Sequence, residues 1–125
     1  MSDDTKDDTN ETLFWVRREE ESDDVIVRAG GELDAFVTDQ LTEHLQAAED
    51  AVTPPAPVLL DLTAITYLSS AGIATLVIHA QRLLEMGSRL RVVADQSAVL
   101  RPITLSGAED TVDIAPTLDD AAKPH

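Results

Sequence analysis

The chain has 125 residues, 43% of them apolar but only 3% aromatic, and carries a net charge of −15. That length fits one domain with a core built from Val, Leu, Ile and Ala, and that charge is repelled by nucleic acid and by anionic lipid surfaces. The absence of cysteine removes disulfides, thiolate metal sites and cysteine nucleophiles.

Residues 1–12 are polar and crowded with Asp and Glu, which predicts a disordered acidic tail because too little apolar surface is available to offset the entropy of ordering. No run reaches the roughly 18–20 apolar residues of a membrane-spanning helix, and the acidic N-terminus is unlike a signal peptide. A cytoplasmic protein without membrane insertion is the expectation.

Leu13 to Val16 and Val25 to Ala29 read as an antiparallel strand pair joined by the acidic stretch Glu19 to Asp24, with Gly30 and Gly31 ending the second strand. Val37, Leu41, Leu45, Ala48 and Val52 then recur at helical spacing. Asp34 stands where an N-cap belongs, and Thr53-Pro54-Pro55 stops the helix. Val58 to Leu62 is nearly all apolar, the pattern of a central strand buried on both faces, and a polar turn at Thr63 to Thr66 follows.

Ile73, Leu76, Val77, Ala80 and Leu84 define a second helix ended by Gly87. Leu90 to Ala94 is a further strand. Ser97 is placed to cap a short helix carrying Val99, Leu100, Ile103 and Leu105, in which Pro102 predicts a bend or a late start. Val112 to Ala115 is a weak last strand and Thr117 to Ala122 one or two helical turns. The order β-β-α-β-α-β-α-β-α gives an α/β fold, a mixed sheet of about five strands with about four helices.

In such sheets function gathers beyond the carboxyl ends of the strands. Two turns lie there, Gly30 to Asp34 and Thr63 to Gly72. In the second, a hydroxyl of Ser69 or Ser70 can cap the following helix, or the same amides can stabilise a phosphate placed on it. Gly72 in a first turn is costly unless backbone is approached closely, and with Ala71 it leaves the surface around the serine bare.

The segments Gly31-Glu32-Leu33-Asp34, Leu59-Leu60-Asp61-Leu62-Thr63, Tyr67-Leu68-Ser69-Ser70-Ala71-Gly72-Ile73, and Arg101 with Leu105-Ser106-Gly107 resemble the STAS domain of bacterial anti-sigma factor antagonists. The resemblance implies a single STAS domain over residues 13–118, with 119–125 as a frayed tail. It also implies partner switching: the unphosphorylated chain binds an anti-sigma factor, a serine kinase of histidine-kinase-like ATPase fold, phosphorylation ends the binding, and a serine phosphatase restores it. The family's acceptor serine falls on Ser70. Ser69 replaces the usual Asp before it and offers a rival hydroxyl. Glu32, Asp34, Asp61, Ser69, Ser70, Ala71 and Gly72 form the expected partner-binding set, with Asp34 and Asp61 also suited to capping and turn-fixing.

The alternative is a STAS scaffold that takes no phosphate, or an accessory subunit of a transport complex. No cofactor is expected: His44, His79 and His125 lack metal-ligand spacing, and no EF-hand or phosphate-cradling Gly-x-x-x-x-Gly-Lys-Ser/Thr loop is present. Ser70 lacks a Gly-x-Ser-x-Gly setting or a nearby base, which argues against an enzyme.

Overall fold

The computed structural model describes residues 13–21 and 23–122. The expected tail over residues 1–12, and residues 123–125, lie outside that range. Five strands form one sheet in the order β1 (Phe14–Glu21), β2 (Asp24–Leu33), β3 (Val58–Leu68), β4 (Leu90–Val93) and β5 (Asp113–Ala115). β1 is antiparallel to β2, and the remaining pairings are parallel. Helices α1 (Thr38–Ala51), α2 (Ser70–Glu85), α3 (Ser97–Ser106) and α4 (Leu118–Ala122) connect or follow the strands, with a 3-10 turn at Ala108–Asp110 after α3.

Strand alternation decides which face each side chain joins. Val25, Val27 and Ala29 of β2, with Val58, Leu60 and Leu62 of β3, enter the main core beside Leu41, Leu45, Leu76, Leu83, Val99 and Ile103 from the first three helices. Ile26, Leu59 and Val93 point the other way and are covered by Ala121 and Leu118 of α4. Val58 to Leu62 is therefore buried on both faces, as its apolar run predicts.

Several boundaries depart from the sequence reading. β1 continues through Glu19 to Glu21, because Arg17 and Arg28 bind the Glu19 carboxylate at 2.9 and 3.0 Å and neutralise it within the ladder. Their hydrogen bonds, Arg17's first, hold Glu19 below the usual carboxylate range. β2 runs past Gly30 and Gly31 to Leu33. The Trp15 ring fills the space over Gly30, where a Cβ would lie 2.5 Å from it.

Asp34 does not cap α1. Its Oδ1 accepts from Phe36 N at 2.9 Å, closing a local turn, and the helix begins at Thr38 behind Val37. This short-range bond competes with capping, as Asp side chains commonly do. Nor is Thr63 to Thr66 a turn, because β3 extends to Leu68 with two register shifts against β2. Each shift adds a residue to β3, so the burial repeat there lengthens from two to three and imitates a loop.

The C-terminus of α2 agrees with expectation: Gly87 takes φ +87°, its N–H donates to Leu84 O at 3.0 Å, and Ser88 N donates to Leu83 O at 2.8 Å. α3 does not start late. It begins at Ser97, behind Gln96 and not capped by Ser97, and holds Pro102 in its interior. Fully buried Val99 and Ile103, worth about 1.5–3 kcal/mol each, offset the roughly 3 kcal/mol that an interior proline costs. α4 carries the folded unit to Ala122, beyond the expected boundary at Leu118, because Ala121 is fully buried.

Candidate functional site

The parallel register brings the ends of β2 and β3 together, pairing Glu32 with Tyr67 and Leu33 with Leu68. The chain then turns into α2 through Ser69. Three hydrogen bonds fix that turn: Ser69 N donates to Leu33 O at 3.0 Å, Gly72 N to Ser69 Oγ at 3.1 Å, and Ile73 N to Ser69 O at 3.0 Å. Ser69 is thus the N-cap of α2, in extended backbone conformation, with its hydroxyl committed to the helix.

Ser70 is the first helical residue and is exposed. Among the described residues nothing binds its hydroxyl. Capping therefore falls to Ser69 alone, and the Ser70 oxygen stands exposed at the positive end of a 16-residue helix.

Gly72 is buried, contrary to the expectation that it bares the outer surface. A Cβ there would lie 2.9 Å from both Leu33 Cγ and Leu68 Cδ1. Its small size lets the helix approach the strand ends, and the outward face is left to Ser70, half-buried Ala71 and exposed Ala74.

Of the other predicted residues, Glu32 is exposed and Asp34 half-buried at the same strand ends. Asp61 is elsewhere. It lies near the start of β3, eight residues before Ser69, a span of about 26 Å along a strand at 3.3 Å per residue, and is buried. Its Oδ2 binds Arg28 at 2.6 Å while Oδ1 accepts from Thr63 N and Thr63 Oγ1 at 3.0 and 2.7 Å.

Two residues that sequence reasoning did not single out are Phe36, 92% exposed, and Tyr67, 52% exposed. They are two of the chain's four aromatics, and both sit at this end of the sheet. Scarcity was the available signal, since a chain so poor in aromatics would ordinarily bury them. Beside Phe36 a shallow depression is lined by Leu13, Phe14, Glu32, Asp34 and Gln40.

Behind the site, a buried ionic cluster ties α2 to α1. Glu49 and His79 are each 4% exposed, with His79 Nδ1 2.5 Å from Glu49 Oε2, and Arg82 Nε donates to Glu49 Oε1 at 3.0 Å. It lies two turns and more from Ser70 along α2 and fixes the helix rather than touching the exposed surface. No group of ligands suited to a metal ion occurs among the described residues.

Residues 16–121 match the STAS domain family. The chain belongs to that family. Anti-sigma-F factor antagonist RsfA of Mycobacterium tuberculosis is 30% identical over 97 residues, 78% of this chain and 76% of that protein. The curated relatives are spanned over 66–76% of their lengths. A crystal structure of an anti-sigma factor antagonist from Mycobacterium paratuberculosis superposes with a TM-score of 0.77 at 30% identity, covering 86% of this chain and 90% of that one. SpoIIAA in its unphosphorylated form gives 0.69 at 19% identity, covering 86% and 92%, and shares the fold. The chain is thus a STAS domain of the anti-sigma factor antagonist family, whose members are regulatory proteins and not enzymes. No helix among the described residues is long and apolar enough to cross a membrane.

Proposed function

We propose that this STAS domain acts in the cytoplasm by partner switching. With Ser70 unmodified it binds an anti-sigma factor that is also a serine kinase of histidine-kinase-like ATPase fold, and so releases the sigma factor. In the kinase reaction the Ser70 oxygen attacks the γ-phosphorus of ATP, the hydroxyl proton passes to a base of the kinase, and ADP leaves. A serine phosphatase hydrolyses the ester and restores binding.

The division of labour between the serines carries this reading: Ser69 spends its oxygen on Gly72 N, whereas Ser70 offers an exposed one. A phosphoryl group there adds a charge of about −1.5 to −2 at the end of the sheet that already carries Glu32 and Asp34. Docking then loses to desolvation and like-charge repulsion. Phe36 and Tyr67 supply the apolar contact area of the unmodified surface, the role aromatics commonly fill at interfaces.

The test is intact-mass spectrometry after incubation with ATP and the anti-sigma factor kinase that binds this chain, with peptide fragmentation to locate the modified residue. One added phosphoryl group on Ser70 is expected. A modification on Ser69, or an unmodified chain whose partner binding is indifferent to Ser70→Asp, overturns the reading and favours a scaffold that takes no phosphate.

A further inference from the structure

β4 pairs with β3 only as far as Asp61 and Val93, yet β3 continues to Leu68. Over that extension β2 still flanks one edge, with an extra β3 residue between Asp61 and Ala64 and another between Ile65 and Tyr67. Such bulges take carbonyl groups out of the regular ladder. On the side that β4 has left, one side chain meets them: Gln96 Nε2 lies 2.8 Å from Leu62 O, 3.2 Å from Thr63 O and 3.0 Å from Ile65 O.

Two amide hydrogens are shared among three acceptors. Gln96 occupies the N-cap position of α3 but makes no side-chain capping bond to that helix. Its Oε1 instead accepts from Asp95 N at 3.1 Å, which turns the amide nitrogen toward β3. The residues it holds lead directly to Tyr67, Ser69 and Ser70.

We propose that Gln96 is a positioning residue for the Ser69-Ser70 turn. Its carboxamide replaces a neighbouring strand along the open edge of β3, fixing the bulged segment and with it the attitude in which Ser70 is presented. The consequence for switching rests on the reading of Ser70 given above, whereas the holding of β3 does not.

The test uses the full chain and two variants of similar shape, Gln96→Met, which has no donor, and Gln96→Glu, whose ionised carboxylate has none. Amide hydrogen exchange is read residue by residue at neutral pH. In Gln96→Met the amides of Ile65 to Ile73 are expected to lose protection about tenfold or more, while those of β1 and α1 stay as in the wild type. In Gln96→Glu the same loss is expected at neutral pH, with partial recovery, relative to wild type at equal pH, once acid protonates the carboxyl and returns one donor. Unchanged exchange over residues 65–73, or an equal loss throughout the chain, overturns the positioning role. Should Gln96→Met not fold, the pH comparison in Gln96→Glu decides by itself.

A second arm measures phosphate transfer from ATP by the same kinase. If the wild type accepts phosphate on Ser70, Gln96→Met is expected to show kcat/KM reduced about tenfold, and an unchanged value counts against the proposal. If the wild type accepts none, the reading of Ser70 fails and the exchange data still decide for or against Gln96.

Discussion

Replacing Ser69 by Ala removes the bond from Gly72 N and should cost about 1 kcal/mol, the usual price of a lost N-cap, lowering the urea midpoint while leaving Ser70 able to take phosphate. Ser70→Ala should do the reverse, blocking modification with a stability change within about 0.5 kcal/mol, as for an ordinary surface substitution. Ser70→Asp should weaken partner binding measurably by calorimetry, and equal affinity of the Ala and Asp variants would refute the switch. Phe36→Ala, at a side chain 92% exposed, should leave unfolding unchanged but weaken the same binding by about 1–2 kcal/mol if the ring is an anchor. Gly72→Ala brings a methyl to within 2.9 Å of Leu33 and Leu68. Overpacking of that kind typically costs about 1–3 kcal/mol, more than alanine's helical advantage of about 1 kcal/mol recovers. A more stable variant in denaturant titration would show that the strand ends can give way.

At the scale of elements, α2 is held from behind as well as at its tip. Glu49, buried on α1, pairs with His79 and accepts from Arg82 of α2. Arg82 is about half exposed and returns to water when Glu49 is removed, but the buried His79 ring is left without its partner, and an unsatisfied buried polar group costs about 1–3 kcal/mol. Glu49→Ala should therefore destabilise the domain by roughly that amount, and Glu49→Leu combined with His79→Leu should recover part of it. If the double variant is as unstable as the single losses summed, the cluster contributes more than its own repair. The sequence showed α1 and α2 as amphipathic helices, but it did not show that Glu49 and His79 meet, because the two are thirty positions apart, Glu49 reads as part of the polar side of its helix and His79 as a surface or partly buried packing residue.

The whole molecule carries a net charge of −15, so mutual repulsion opposes folding and is relieved by salt, whose screening length falls to about 10 Å at 0.1 M. The urea midpoint should rise with sodium chloride, and a midpoint indifferent to salt would show that the acidic groups are already balanced locally. pH acts through His44, whose Nδ1 is buried and, among the described residues, unpartnered. Burial first, then the positive charge of Arg18 on β1, push its pKa below the ordinary histidine value, against the opposing pull of Glu43 on its own helix. The unfolded chain therefore binds a proton near pH 6.5 that the folded chain resists. The contribution is fully present above that pH and is lost as pH falls toward the folded value. His44→Gln should flatten this part of the stability profile, measured as the urea midpoint between pH 5 and 8.

Element order, the doubly buried run Val58 to Leu62, the glycine stop at Gly87 and the serine turn were legible along the chain, because each depends on residues adjacent in sequence or on a repeat of two or 3.6. What lay beyond that reach was decided by contacts between distant segments. Arg28 meeting Glu19 and Asp61 let a charged stretch remain a strand, and the two bulges of β3 made a strand look like a turn. Gly72 faces inward because Leu33 and Leu68 converge on it. Which of the Ser69 and Ser70 hydroxyls caps the helix was open in the sequence, since both stand at a helix start. Only the folded turn, anchored by Leu33 O, rotates one hydroxyl onto the helix amides and the other into solvent.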